Sequence, residues 1–138
     1  MKAKRSVAAA SLVLAVSGCM ELTPDTVGKQ TPGQICYSIA VARAGNANRD
    51  TVDIGIAELR RRGELRETDL FAIETGELRV GLKEEAAICL MGGLYDQVNE
   101  TTTARGTERQ YVFPHPYNTA RPVTYIYTRG GVVTAFQD

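Results

Sequence analysis

The chain has 138 residues, enough for one small domain, and 43% of them are apolar, enough for a hydrophobic core. Its 16 basic and 16 acidic residues give no net charge, so it lacks the strong positive charge typical of nucleic-acid-binding proteins. A single histidine and three cysteines leave few side chains for a metal site or for nucleophilic catalysis. We therefore expect no nucleic-acid partner, no cofactor, no metal and no enzyme activity.

Residues 1–18 have the layout of a secretory signal peptide. Lys2, Lys4 and Arg5 precede an apolar run over residues 7–16. That run is too short to span a bilayer as a helix, which needs about 20 residues. The alternative, an N-terminal core helix, would place three cations beside a uniformly apolar surface. Removal of the signal peptide would leave three more acidic than basic residues in the mature chain.

The signal peptide ends in Val-Ser-Gly-Cys, at residues 16–19, which resembles a bacterial lipobox. The resemblance implies cleavage before Cys19, a thioether lipid on its sulfur and acylation of the new amino terminus. Since each buried methylene contributes about 0.8 kcal/mol, several acyl chains would hold the protein on a membrane. Met20 differs from the Asp that retains such proteins in the inner membrane. The resemblance therefore also implies the outer membrane, with the domain facing the periplasm.

The next segment, residues 20–33, is polar and has no apolar periodicity. Its two prolines and two glycines are typical of a linker. We expect residues 19–33 to comprise the lipidated cysteine and a flexible tether, which would reach about 45–50 Å when extended. A single domain would then span residues 34–138.

Amphipathic patterns predict a series of helices in the first part of the domain. The candidate caps or starting points are Thr31, Asp50, Thr68 and Gly81. Glycines mark the expected ends, at Gly45, Gly63, Gly76 and Gly92–Gly93. We expect these helices to cover one face of the sheet that follows.

Charged residues occupy the ends of two of these helices. Arg60, Arg61 and Arg62 lie in the last turn of the second helix, and Glu84 and Glu85 lie in the first turn of the last one. Both placements complement a helix dipole. Contact with an anionic lipid or partner is the alternative role for the arginines. Acid–base catalysis is the alternative for the glutamates, and the scattered distribution of the other carboxylates does not favour it.

After Gly93 the sequence becomes rich in Thr, Val and aromatic residues. Residues 95–103 and 107–113 predict one β-hairpin, and residues 123–128 and 132–137 predict another. Helices followed by strands predict an α+β domain, with N-terminal helices packed on a small C-terminal antiparallel sheet.

Cys36 and Cys89 remain once Cys19 is assigned to lipid. Both lie on the apolar stripes of predicted helices, in a compartment that permits disulfides. A disulfide between them would stabilise the domain by about 4 kcal/mol in the chain-entropy model. The alternative is two reduced, buried thiols.

The candidate contact residues lie in the first hairpin and in the proline-bounded loop that follows it, residues 114–122. They are Tyr111, Phe113, His115, Tyr117 and Arg121. Tyrosine is enriched at protein interfaces because it combines a large area with a polar tip. The alternative for most of the aromatic residues is packing beneath the helices.

Several short stretches resemble SmpA/OmlA (BamE-like) outer-membrane lipoproteins, and together they cover residues 70–137. The matching stretches are residues 78–85, 99–101, 108–113, 125–127 and 130–137. The resemblance implies a helical pair before a three-stranded antiparallel sheet. The chain departs from the family pattern in two ways. It has no tryptophan, with Tyr111 in place of the family's indole, and it has extra helical sequence before the matching stretches.

These features lead to one functional hypothesis and one alternative. We expect a lipid-anchored, non-enzymatic protein that makes a structural or scaffolding contact with an envelope protein in an outer-membrane complex. The sheet edge, the loop after the first hairpin and the tyrosines would form the contact surface. The alternative is an inhibitor or small-ligand-binding module related to folds like that of β-lactamase inhibitory protein.

Overall fold

The computed structural model describes residues 21–45, 48–115, 120 and 123–138. The predicted signal peptide, Cys19, Tyr117 and Arg121 therefore lie outside the described residues. Within the described ranges, no helix combines the length and apolar character needed to cross a membrane.

In these ranges four α-helices precede four β-strands, which confirms the predicted α+β class. After a short 3-10 helix at Val27–Lys29 come α1 (Pro32–Ala44), α2 (Arg49–Arg62), α3 (Glu67–Thr75) and α4 (Glu84–Leu90). The strands are β1 (Gln97–Thr103), β2 (Gly106–Pro114), β3 (Val123–Arg129) and β4 (Val132–Gln137). They form one antiparallel sheet in the order β1-β2-β3-β4. The family resemblance implied three strands, so the described sheet has one more.

The predicted start of α1 is confirmed in detail. The Gln34 N–H donates to Thr31 Oγ1 at 3.2 Å, and the Thr31 N–H donates to Gln34 Oε1 at 2.8 Å. This reciprocal capping box satisfies two backbone donors that the helix itself leaves free. The left-handed glycines predicted to end α2 and α3 are also present, Gly63 at φ 73° and Gly76 at φ 78°.

Two of the predicted helix starts are wrong by two residues. Asn48, and not Asp50, caps α2 through its side-chain oxygen. Thr68 lies inside α3, whose N-terminal cap is Arg66, and the carboxylate of Asp69 accepts the Arg66 N–H at 3.0 Å. At each helix start, several polar residues that could act as the N-cap lie close together in the sequence. The hydrophobic pattern alone does not decide which of them caps the helix.

The described part of the expected tether, residues 21–33, packs on the domain that we expected to begin at residue 34. Leu22 and Val27 are 2% and 7% exposed and belong to the hydrophobic core. Leu22 lies against Gly55 of α2. A Cβ added to Gly55 would lie 3.1 Å from the Leu22 side chain. Arg62 fastens the same segment by donating to the Gln30 carbonyl at 2.8 Å. Two isolated apolar residues in a polar stretch have no periodicity that could reveal this packing.

The core lies between the helices and one face of the sheet. The predicted Cys36–Cys89 disulfide is present and joins α1 to α4. The largest fully buried side chains are Phe113, Ile35, Ile39, Leu70, Ile73, Ile126, Val133 and Asp69. One member of this set is a carboxylate, which requires hydrogen-bond partners inside the domain.

Candidate functional site

The arginine triplet at the end of α2 is held by carboxylates of the domain. Arg61 and Arg62 both bind Glu58, at 2.7 and 2.8 Å, and Glu58 is buried. These two guanidiniums hold the pKa of Glu58 at about 2. Arg60 bridges to Glu67 of α3 at 2.8 Å. The triplet thus lies in the last turn of α2 as predicted, and its charges bind neighbouring carboxylates.

Asp69 joins the starts of α3 and α4. Its fully buried carboxylate accepts hydrogen bonds from the Arg66 guanidinium, at 2.7 and 2.8 Å, and from the backbone N–H groups of Arg66 and Lys83, both at 3.0 Å. Burial alone would raise the pKa of Asp69, but these hydrogen bonds outweigh it and hold that pKa below its ordinary value. With its oxygens committed to these donors, this group maintains the fold.

Glu84 connects α4 to the helix-facing side of the sheet. It accepts hydrogen bonds from Arg109 at 2.9 Å and from the Thr128 hydroxyl. Arg109 also binds Glu100 of β1 at 2.6 Å. Burial raises the pKa of Tyr111, and the nearby Glu84 carboxylate raises it further. The predicted placement of Glu84 in the first turn is confirmed, but its contacts across the layers could not be read from the sequence.

His115 lines a cleft where the ends of α3 and α4 meet the sheet. The cleft has a volume of about 270 Å³, and its walls are formed by Gly76, Leu78, Leu90, Met91, His115, Thr124, Phe136 and Asp138. Small-molecule pockets usually have volumes of about 300–1,000 Å³, so the volume of this cleft lies just below that range. Most of the lining is apolar, and the polar groups cluster on one side.

The polar side of the cleft is a hydrogen-bond chain. Thr124 Oγ1 donates to Asp138 Oδ1 at 2.9 Å and lies 2.8 Å from His115 Nε2. Because a hydroxyl has one hydrogen, His115 Nε2 donates to Thr124 in this arrangement. A general base would have to accept the hydroxyl proton instead. The chain therefore holds the histidine in place without activating the hydroxyl. The described residues also contain no group of three or more metal-ligating side chains.

Two of the predicted contact residues, Tyr111 and Phe113, are buried. They are 5% and 2% exposed and face the helices, in line with the alternative that the aromatic residues pack beneath them. Tyr95 packs edge-on against Tyr111, with ring centroids 5.0 Å apart. Strand alternation explains the result, because residues 111 and 113 share the face that pairs with buried Ile126.

The opposite face of the sheet, which we call the outer face, carries Tyr125 and Tyr127, both half-buried. A row of side-chain hydrogen bonds crosses it. Gln97 donates to Asn99 at 2.7 Å, Asn99 to Gln110 at 2.9 Å, and Gln110 to the Tyr127 hydroxyl at 3.0 Å. The strand alternation in the sequence places these tyrosines together, but it does not reveal which face the helices cover.

The charges on the outer face are balanced. Glu108 of β2 and Arg129 of β3 are direct cross-strand neighbours, and their side chains pair at 2.7 Å. The face therefore combines aromatic rings and amides with little net charge. Such a surface favours a polar, uncharged contact over binding to a polyanion.

Comparison of the chain with protein-family models, curated proteins and solved structures gives no match. The resemblance to BamE-like lipoproteins therefore stays a prediction. The functional assignment rests on the residues and geometry described above.

Proposed function

We propose that this protein is a lipid-anchored, non-enzymatic envelope lipoprotein of the outer membrane, facing the periplasm, that makes a structural contact with another envelope protein. The lipobox-like sequence ending at Cys19 supports the anchor and the location. The observation that carries the contact is the outer face of the sheet, with Tyr125, Tyr127 and the amide row.

The outer face suits a protein contact for two physical reasons. Tyrosine and amide side chains provide large contact area together with adaptable hydrogen bonding. The hydrogen bonds among Asn99, Gln110 and Tyr127 already restrict these side chains, so a partner would immobilise little additional freedom. The helices then serve as a scaffold that holds this face outward.

The contact is tested by co-purification of the full chain from detergent-solubilised membranes. We expect a discrete envelope protein to co-purify with the wild type and to be lost from the double variant Tyr125→Thr, Tyr127→Thr. Threonine also has a high strand propensity, so this variant should keep β3 intact. The matched control is Tyr37→Thr, because Tyr37 is 53% exposed on α1. Loss of the same protein from the control, or its retention by the double variant, would contradict the proposal.

The anchor is tested separately by Cys19→Ala. We expect this variant to leave the membrane fraction, since no acyl chain can then be attached to residue 19. The double variant Cys36→Ala, Cys89→Ala removes the same residue type elsewhere and should remain in the membrane fraction. Retention of the Cys19→Ala variant in membranes would refute lipid attachment at this residue.

The second candidate is an inhibitor or a small-ligand-binding module, which the cleft beside His115 favours. Its apolar walls and one polar side are typical of ligand sites, although its volume is small. Titration with benzyl alcohol, followed by NMR, tests it. Saturable shifts at His115 and Phe136 that disappear in Met91→Trp would support this candidate. Absence of such shifts, with partner co-purification intact, would exclude it for ligands of this class.

A further inference from the structure

The two edges of the sheet are built differently, and the beginning of the β4 edge is covered. Val133 donates to the Leu82 carbonyl and its own carbonyl accepts from Gly81, both at 2.9 Å. Lys83 forms a bridge with Val132 on the same side. A register shift also interrupts the pairing of β4 with β3. Coverage of its first residues and the register shift disfavour pairing of a further strand along β4.

The β1 edge has neither feature. β1 pairs with β2 over seven residues without a register shift, and all seven residues, Gln97–Thr103, are exposed. Among the described residues, no other segment forms backbone hydrogen bonds with the open side of β1. The strand contains neither lysine nor proline, and it ends in three consecutive threonines. Its one charged residue, Glu100, is already paired with Arg109 of the neighbouring strand. It is a regular strand whose outward N–H and C=O groups are available for pairing.

We propose that the β1 edge binds an extended strand of another protein, which adds to the sheet as a fifth strand. Strand addition of this kind takes affinity from backbone hydrogen bonds and specificity from alternate side chains. The inference goes beyond the proposed contact on the outer face, because it assigns a second surface, the β1 edge, and the form of the partner that binds it. It does not depend on the lipid anchor.

The side chains of β1 define the chemistry of the incoming strand. On β1, the helix-facing side chains are those of Val98, Glu100 and Thr102. Val98 pairs with Tyr111 and Glu100 pairs with Arg109, and both partners face the helices. Val98 is 40% exposed and offers an apolar neighbour. The incoming strand therefore carries an apolar or β-branched residue beside Val98 and a β-branched residue beside Thr102.

Charge fixes the central position of the incoming strand. Arg109 is shared between Glu84, at 2.9 Å, and Glu100, at 2.6 Å, so two carboxylates have one guanidinium between them. The Glu84 carboxylate is buried, whereas that of Glu100 remains half exposed at the strand edge. A lysine or arginine opposite Glu100 balances this excess negative charge.

The same glutamate opposes pairing with a second copy of this chain. When two copies of β1 pair antiparallel over their full length, position 100 of one copy faces position 100 of the other. Like charges that face each other directly across strands destabilise the pairing. Shifting the register by two residues avoids the clash but leaves fewer pairs. The favoured occupant is therefore a strand of a different protein.

The probe for this site is the capped peptide Thr-Val-Thr-Arg-Thr-Ile-Thr, titrated into the labelled mature protein in detergent micelles and followed by NMR. We expect saturable amide shifts concentrated in residues 97–103. Replacing the peptide Arg by Glu should weaken binding about five- to tenfold, as expected when one attractive cross-strand pair becomes repulsive. N-methylation of alternate peptide residues should abolish binding, because it removes the donors that face β1.

Variants of the protein separate strand addition from non-specific charge effects. Glu100→Lys should reverse the preference between the Arg and Glu peptides, and Glu100→Gln should equalise it if the lysine variant does not fold. Glu64→Lys, a change at an exposed residue between α2 and α3, should leave the preference unchanged.

Three results would overturn the inference: shifts confined to β4 or to the cleft, equal affinity for the two peptides, or no saturable binding at millimolar peptide. Dimerisation of the wild type through β1 would also overturn it. If the peptide does not bind to β1 while the outer-face variant still loses the co-purified protein, strand addition is refuted and the proposed contact stands. If both experiments fail, the proposed contact is refuted as well.

Discussion

In the helical layer, the buried carboxylates Glu58, Asp69 and Glu84 each have an arginine partner, and a disulfide fixes α1 to α4. In the sheet, β1 is exposed along its whole length, and the outer face carries amides and tyrosines bonded mainly to one another. The difference separates two tasks. The helical layer maintains the fold, whereas the outer face and the β1 edge of the sheet remain accessible because they do not pack in the core.

This separation predicts opposite consequences for substitutions in the two regions. Changes in the helical layer should lower the free energy of unfolding, because they leave buried groups without partners. Changes on the outer face should leave the free energy of unfolding almost unchanged while they remove binding.

The largest effect is expected from the disulfide. Cys36 and Cys89 are 53 residues apart, so removal of their link by the double alanine variant should lower the free energy of unfolding by about 4 kcal/mol. Urea unfolding measures this loss, and reduction of the wild type with dithiothreitol provides the matched comparison. A loss below about 1 kcal/mol would show that the helical layer does not depend on this crosslink.

Asp69→Ala should have the next largest effect, about 3 kcal/mol, because it leaves buried backbone donors of Arg66 and Lys83 without an acceptor. Chemical denaturation measures it. Asp53→Ala is the control, since Asp53 is exposed on α2 and its loss should stay within about 0.5 kcal/mol. Equal effects of the two variants would contradict the role assigned to Asp69.

Glu84→Gln should cost about 1–2 kcal/mol, because it weakens the charged hydrogen bonds to Arg109 and Thr128 that join α4 to the sheet. Glu85→Gln changes the exposed neighbour in the same helical turn and should cost less than about 0.5 kcal/mol. If Glu84→Gln left hydrogen exchange of β2 and β3 unchanged, the link between the layers would be unimportant.

The stability of the domain should also depend on pH through Glu58. Its pKa in the folded protein is about 2, below its ordinary value of 4.5, so it stabilises the fold above pH 4.5. This contribution is lost as the pH falls from 4.5 towards 2. Glu58→Gln lacks it, so the difference in Tm between wild type and variant should be largest near neutral pH and should shrink in acid. A difference in Tm independent of pH would contradict the ion-paired state of Glu58.

The smallest effect on stability is expected on the outer face. Tyr125→Thr with Tyr127→Thr should lower the free energy of unfolding by less than about 1 kcal/mol, because threonine keeps a high strand propensity. Thermal unfolding followed by circular dichroism measures it. A decrease in the free energy of unfolding as large as that of the disulfide variant would show that these tyrosines are needed for the stability of the fold.

Local sequence signals predicted much of the fold. The capping box at Thr31, the left-handed glycines and both hairpins depend on residues close together in the chain, so a pattern reveals them. Leu22 packs against Gly55, which is distant in sequence and gives no local signal.

The candidate site was less predictable for the same reason. Strand alternation groups Tyr125 with Tyr127 and Tyr111 with Phe113, but only the packed helices decide which pair is buried. Glu84 resembles an ordinary first-turn glutamate because its partner Arg109 lies 25 residues away in the chain. Ion pairs between distant residues leave no pattern in a single sequence.

The most direct test of the contact surface is photo-crosslinking in intact cells from position 125 of the outer face, with position 37 of α1 as the matched tyrosine control. A photoreactive amino acid at position 125 should give one discrete adduct with an envelope protein, and the same amino acid at position 37 should not. Absence of an adduct from position 125, or the same adduct from both positions, would contradict the assignment of the outer face as the contact surface.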